Sequence, residues 1–227
     1  MGLDFDSFTL AASTADLGEE PRARERADCV EFRMDLAADS LTALASYTGD
    51  LPIIATNRAD WEGGGADEPS EERRLDDLAR AAEFDSVEAV DVELAAFDSG
   101  AAEETAAHAR DHGANVIASA HDFEGTPGTD EMRETLERAI EYGDIGKLAV
   151  RAEEPGDVLV LLSITYDLAR KGNRVATMAM GEAGRHSRAV APIYGSKIGY
   201  APVDPDEATA PGQYDLATLR ELVDRLR

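Results

Sequence analysis

Gly143-Asp144-Ile145-Gly146-Lys147-Leu148-Ala149-Val150 is a short apolar run with one ammonium in its middle, bounded by Gly143 and by the polar Arg151-Ala152-Glu153-Glu154. Its length and flanks read as a buried strand. Before it, Asp130 to Tyr142 sets Met132, Leu136, Ala139 and Ile140 at helical spacing; after it, Asp157 to Lys171 is amphipathic as well. Strands alternating with helices in this way build parallel sheets. The lysine is the unusual part. The chain has only three, Lys147, Lys171 and Lys197, and arginine supplies nearly all other positive charge. A lysine kept in an apolar strand uses what arginine lacks, since it can lose its proton when desolvated and attack a carbonyl. The alternative is a packed stem with its head reaching water.

The same alternation covers the whole chain. Apolar or β-branched runs fall at Phe8 to Ala12, Cys29 to Met34, Ile53 to Asn57, Ala89 to Leu94, Asn115 to Ala120, Ile145 to Val150, Val175 to Met180 and Val190 to Tyr194. Amphipathic stretches such as Glu71 to Ala82 and Ala101 to His112 lie between them. Ser40 and Thr129 read as helix N-caps, and Tyr214 to Arg227 as a closing helix with Leu216, Leu219, Leu222, Val223 and Leu226 on one face. Eight such units in 227 residues, with no linker or composition break, predict an α/β fold: a single-domain (β/α)8 TIM barrel over residues 1–227. An open doubly wound sheet is the alternative, but no Gly-x-Gly-x-x-Gly opens a helix after a strand, and Gly63-Gly64-Gly65 reads as a flexible turn.

Acidic residues number 47 against 22 basic ones, a formal net charge of −25. That field repels nucleic acid and anionic membranes, so neither is expected as a partner. With 43% hydrophobic residues and clear periodicity the chain folds around a core. Acids spread over helix faces, with lysine scarce, read as adaptation to concentrated salt, which screens the self-repulsion. A melting temperature that rises from dilute buffer to molar KCl is the expected signature. No apolar run is long enough to span a membrane, and the acidic start Met1-Gly2-Leu3-Asp4-Phe5-Asp6 carries no secretion signal, so a cytoplasmic location is expected. The one cysteine, Cys29, fits a reducing compartment and a buried small hydrophobe. His108 and His112 share one helix face without further ligands nearby in sequence, so no metal site is expected.

In a barrel, chemistry gathers at the carboxyl ends of the strands. There the second run carries Glu31, Arg33 and Asp35 at period two, charges that must pair or hold a ligand. The third ends in Thr56-Asn57-Arg58 followed by Trp61-Glu62-Gly63-Gly64, the fifth in Ser119-Ala120-His121-Asp122-Phe123, and the seventh leads to Met180-Gly181 and Ser187-Arg188. Asp91 and Glu93 in the fourth run read as an inner polar layer of structural character. An amine, a base and three arginines suit an anionic, hydroxyl-rich carbonyl compound held over a nucleophilic lysine.

With these residues in view, the chain resembles type I 3-dehydroquinate dehydratases over essentially its whole length. The resemblance rests on Glu31-x-Arg33-x-Asp35, Arg58-x-x-x-Glu62-Gly63-Gly64, Ser119-x-His121-Asp122-Phe123, Asp144-Ile145-x-Lys147, Met180-Gly181 through Ser187-Arg188, and Ala210-Pro211-Gly212-Gln213. It implies that 3-dehydroquinate forms an imine with Lys147, which requires a neutral amine; burial and the cations Arg33, Arg58 and Arg188 are expected to favour it. It further implies His121 as general base and then acid, and Glu62 as the carboxylate that orients it. Arg188 would hold the substrate carboxylate, Glu31, Arg33 and Arg58 the ring hydroxyls, and Thr209 with Gln213 would close over the carboxylate. Met178, Met180 and Tyr200 would be apolar walls, with Tyr200 standing where relatives often have phenylalanine. No cofactor is implied, and relatives of this kind are commonly homodimers. A class I aldolase is an alternative, although Glu182 beside Gly181 and Gly184 would repel a phosphate; a barrel that only binds an acidic metabolite is another.

Overall fold

The computed structural model of the chain describes residues 3–65, 70–207 and 210–227. Eight strands form one parallel sheet: β1 (Thr9–Thr14), β2 (Cys29–Arg33), β3 (Ile53–Thr56), β4 (Val87–Glu93), β5 (Asn115–Asp122), β6 (Ile145–Arg151), β7 (Val175–Met180) and β8 (Ile198–Pro202). Their order is β7-β6-β5-β4-β3-β2-β1-β8, and the parallel bridge Val175↔Ser196 brings the two edges together into a nearly closed barrel. Helices on the outside connect the strands, among them Glu71–Ala81, Thr129–Tyr142, Pro155–Ala169 and Leu216–Leu226.

Period-two alternation sorts each strand between two cores. In β6, Ile145 and Ala149 point into the barrel with Cys29, Ile54, Ala89, Ile117 and Met178, while Leu148 and Val150 point outward against Met132, Leu136, Val158 and Leu161. Lys147 sits between Ile145 and Ala149 on the inward face, so its ammonium is delivered into the barrel by the register itself. Cys29 is fully buried as expected, and burial pushes its thiol pKa well up. Among the described residues no helix is long and apolar enough to cross a membrane.

The eighth strand differs from expectation. Val190 to Tyr194 is helical, split between Ser187–Val190 and the 3-10 turn Ala191–Tyr194, and the strand lies further on at Ile198–Pro202. Pro192 cannot donate to a sheet ladder, and Gly195, with φ +102°, ends the turn in a left-handed conformation. The apolar run was real, but its proline placed it outside the sheet. Two caps also shift. Asp39, not Ser40, accepts the Thr42 N–H, and Thr129 is the first helical residue after Gly128. In the closing helix Leu216, Leu219 and Val223 are buried, but Leu226 is 46% exposed.

Candidate active site

Lys147 Nζ donates a 2.7 Å hydrogen bond to Asp91 Oδ2 from inside the barrel, with the lysine side chain 4% exposed and the aspartate fully buried. On the other side, Nζ lies 4.4 Å from the ring centroid of Tyr200, close enough for a cation–π contact. Asp91 was read from sequence as part of a structural layer. It is instead the hub of the site. Its Oδ1 accepts from Ser119 Oγ at 2.6 Å and from Arg58 Nη2 at 3.0 Å. Burial alone would raise its pKa, but Arg58 and Lys147 outweigh it and hold the carboxyl well below its ordinary range. The charged group in contact with Lys147 is thus a carboxylate, and the arginine surroundings expected from sequence are only part of the picture.

Arg58 extends the network. Its Nη1 donates to Ser119 Oγ at 2.8 Å and lies 2.9 Å from His121 Nδ1, 3.5 Å from Glu62 and 3.8 Å from Glu93. The carboxylates around it raise its pKa despite complete burial. His121 Nδ1 is also 2.7 Å from Glu62 Oε2. Burial, followed by the charges of Arg58 and Lys147, pushes the imidazole pKa well below its ordinary value, so the ring is neutral near pH 7. Glu62 moves the other way. Burial raises its pKa to about 8, with Glu93 and Asp91 adding to the rise and Arg58 opposing it. His121 and Glu62 therefore titrate as a unit, with one proton between Nδ1 and Oε2.

The Glu62 turn is a built feature rather than a flexible one. Gly63 has φ +77°, and a Cβ on Gly64 would lie 1.9 Å from the Arg58 carbonyl oxygen. Gly64 N–H donates to Ala59 O, and Glu93 Oε1 accepts from the Ala59 N–H at 3.0 Å. Buried Arg74 locks the same loop from the helix Glu71–Ala81 by donating to Asn57 O at 2.6 Å. Glu93 thus supports the turn, as the structural reading expected.

On β2, Arg33 is fixed by two bonds to Asp35, Nε to Oδ1 at 2.9 Å and Nη2 to Oδ2 at 2.6 Å. Glu31 accepts from Ser13 Oγ at 2.5 Å and Thr56 Oγ1 at 3.3 Å. The opposite side is unlike this. Arg188 is 4% exposed, its Nη2 reaches Pro211 O at 3.4 Å, and among the described residues its Nε has no partner and no carboxylate pairs with it. Burial lowers its pKa to about 10, leaving it a cation at neutral pH.

These groups line one opening: Glu31, Arg33, Arg58, Glu62, His121, Lys147, Arg188 and Gln213, with Phe123, Met178, Met180 and Tyr200 as apolar walls. Thr209 lies outside the described residues. The Tyr200 hydroxyl is buried without a partner among the described residues, and burial pushes its pKa well up. The arrangement offers a buried primary amine, a neutral imidazole beside it, and a desolvated guanidinium awaiting an anion. What sequence reasoning missed was Asp91; the signal available was a carboxylate on the inward face of β4, paired in register with Thr56 of β3.

The sequence matches the type I 3-dehydroquinase family over residues 9–226. A 3-dehydroquinate dehydratase of Haloarcula marismortui is 56% identical over 229 residues, covering 99% of each chain. The crystal structure of 3-dehydroquinate dehydratase from Geobacillus kaustophilus has a TM-score of 0.86 at 25% identity, over 97% of this chain and 91% of that one. The type I 3-dehydroquinate dehydratase of Clostridium difficile, solved with covalently modified comenic acid, has a TM-score of 0.85 at 27% identity, over 97% and 92% of the two chains.

Proposed function

Because the chain belongs to the type I 3-dehydroquinase family, we propose that it converts 3-dehydroquinate to 3-dehydroshikimate in the shikimate pathway, by syn elimination of water through an imine on Lys147. The observation that carries this reading is a buried lysine, held between Asp91 and Tyr200, in the same opening as the His121–Glu62 pair. Lys147 Nζ gives up a proton, attacks the ring ketone, and expels its oxygen as water to leave an iminium. Asp91, ionised and buried, faces the positive nitrogen that forms, a counter-charge already in place before reaction.

His121 then takes the α-proton through Nε2, which is free to accept when Nδ1–H points at Glu62. The electron pair moves into the iminium nitrogen and returns as the β C–O bond breaks. His121 passes its proton to the departing hydroxyl, which leaves as water. One imidazole serving both steps works on one face of the ring, hence syn geometry. Hydrolysis consumes one water and restores the amine, so the net reaction releases one water. The imine itself is the electron sink, and the scheme calls for no metal or pyridoxal phosphate.

Arg188 would take the substrate carboxylate, an anion that restores the partner its guanidinium lacks. Glu31, Arg33 and Arg58 form the wall that would meet the ring hydroxyls, with Gln213 and Thr209 on the carboxylate side. Support for covalent chemistry in such a site comes from the Clostridium difficile relative and its covalently modified ligand. The reaction is proposed for the cytoplasm, in a homodimer whose contact would cover exposed apolar residues such as Leu159 and Tyr166 of the helix Pro155–Ala169. Light scattering in molar KCl at twice the monomer mass is the expected result.

Borohydride reduction in the presence of 3-dehydroquinate, followed by peptide mass spectrometry, tests the mechanism. A reduced adduct on the Lys147 peptide is expected, and Lys147→Ala should abolish both adduct and turnover. Dehydration that proceeds with no adduct on Lys147 would overturn the imine.

A further inference from the structure

Two loops that bring separate functional side chains to the opening are joined to each other by direct contacts. The loop after β7, residues 181–188, carries Arg188. The segment 210–215, after β8, carries Gln213. Gly181 N–H donates to Pro211 O at 3.2 Å, and Arg188 Nη2 reaches the same oxygen at 3.4 Å. Gly212, at φ +76°, lies so close that a Cβ there would sit 2.4 Å from Gly181 O. A side-chain pair also spans the loops: the Arg185 guanidinium carbon lies 4.2 Å over the centroid of the Tyr214 ring.

We infer that Arg185 and Tyr214 are positioning residues, a cation–π tie that fixes the Gln213 segment against the Arg188 loop and so sets the geometry of the anion site. Three facts single the pair out. In a chain with 47 acids, Arg185 has no carboxylate partner among the described residues, and its Nε is buried without a hydrogen bond. An arginine that only solvated the surface would keep that donor in water. Tyr214 packs its ring against the outer core around Leu216 and Leu219, so its face is held still for the guanidinium. The other arginine-on-ring contact, Arg227 over Phe8 at 5.8 Å, is longer and lies at the chain end. The tie also explains why neither loop needs a salt bridge at the rim, where a carboxylate would compete with substrate for Arg188.

The function assigned to Gln213 and Arg188 rests on the proposed dehydration, so the test has one arm that needs no turnover. Hydrogen exchange followed by mass spectrometry reads protection of the Gly181 amide in the unmodified chain and in Tyr214→Leu, Tyr214→Phe and Arg185→Gln. Faster exchange at Gly181 is expected in the leucine and glutamine variants, with Tyr214→Phe, which keeps the ring, close to the parent. Unchanged exchange in Tyr214→Leu overturns the tie, whether or not the protein dehydrates 3-dehydroquinate. In steady-state kinetics, KM for 3-dehydroquinate should rise about three- to tenfold in those two variants, the range a partly desolvated cation–π contact spans, with kcat changed less than about twofold. The double variant should be no worse than either single one, because both remove the same contact. Multiplying effects, or a loss of kcat with KM unchanged, would overturn the positioning role. Absence of turnover in the parent chain would instead sink the dehydratase reading, and the exchange arm would still decide the tie.

Discussion

Arg58 and Arg188 are both about 95% buried in the same opening, yet their surroundings are opposite. Arg58 is wrapped by Asp91, Glu62 and Glu93 and hydrogen-bonded to Ser119. Arg188 meets one backbone carbonyl and no carboxylate among the described residues. A buried charge costs free energy unless it is paired, so the first arginine is part of the fold and the second leaves room for an external anion. With acids outnumbering bases about two to one, an unpaired buried arginine is a position from which acids have been kept away.

The contrast is sharpest in stability. Replacing Arg58 with methionine leaves buried Asp91 with Lys147 as its remaining cation and removes the cation beside Glu62, while Glu93 keeps Arg74 at 2.8 Å. It should lower unfolding free energy by about 3–5 kcal/mol, measured by denaturant titration in high salt. Arg188→Met should be neutral or stabilising in the same assay. Equal losses at both positions would break the distinction.

In kinetics the order reverses. Arg188→Met should raise KM for 3-dehydroquinate by roughly 10- to 100-fold, the about 1.5–3 kcal/mol of a hydrogen bond to a charged group. An unchanged KM would remove Arg188 from the carboxylate site.

The pH profile probes the Arg58 side. Below about 8 Glu62 keeps its proton and His121 carries its own on Nε2; above it, the carboxylate draws Nδ1–H and frees Nε2 as a base. The kcat/KM profile should therefore rise with pH through the region near 8, and Glu62→Gln should remove that limb. A limb that stays in place in the glutamine variant would separate it from the pair.

The smallest effect concerns the floor between the two arginines. Tyr200→Phe deletes a buried hydroxyl that has no partner while keeping the ring under Lys147, so it should raise stability by about 1 kcal/mol, visible as a higher melting temperature. A lower melting temperature would mean that the hydroxyl is satisfied in solution.

Much of this was open to reading along the chain. Short apolar runs alternating with amphipathic segments carried the barrel, because buried parallel strands and half-buried helices leave different periods. Lys147 and His121 stood out as polar groups on apolar strands, and Glu62 and Arg188 through their motifs. The misplaced eighth strand shows the limit of hydrophobicity alone: Val190 to Tyr194 is apolar enough, but Pro192 cannot join a ladder, and Ile198–Pro202 takes its place.

What the sequence by itself determined is the fold class, the family and several of the groups that meet at the strand ends, Lys147, His121, Glu62 and Arg188 among them, since each follows from local pattern and residue type. Which charge answers which was decided only in three dimensions. Asp91 on β4 grips Lys147 on β6, 56 residues away, and Tyr214 meets Arg185 across two loops. Pairing depends on distances of a few ångströms between residues far apart in the chain, and on burial that strengthens or penalises each charge. Those quantities exist only once the barrel has closed.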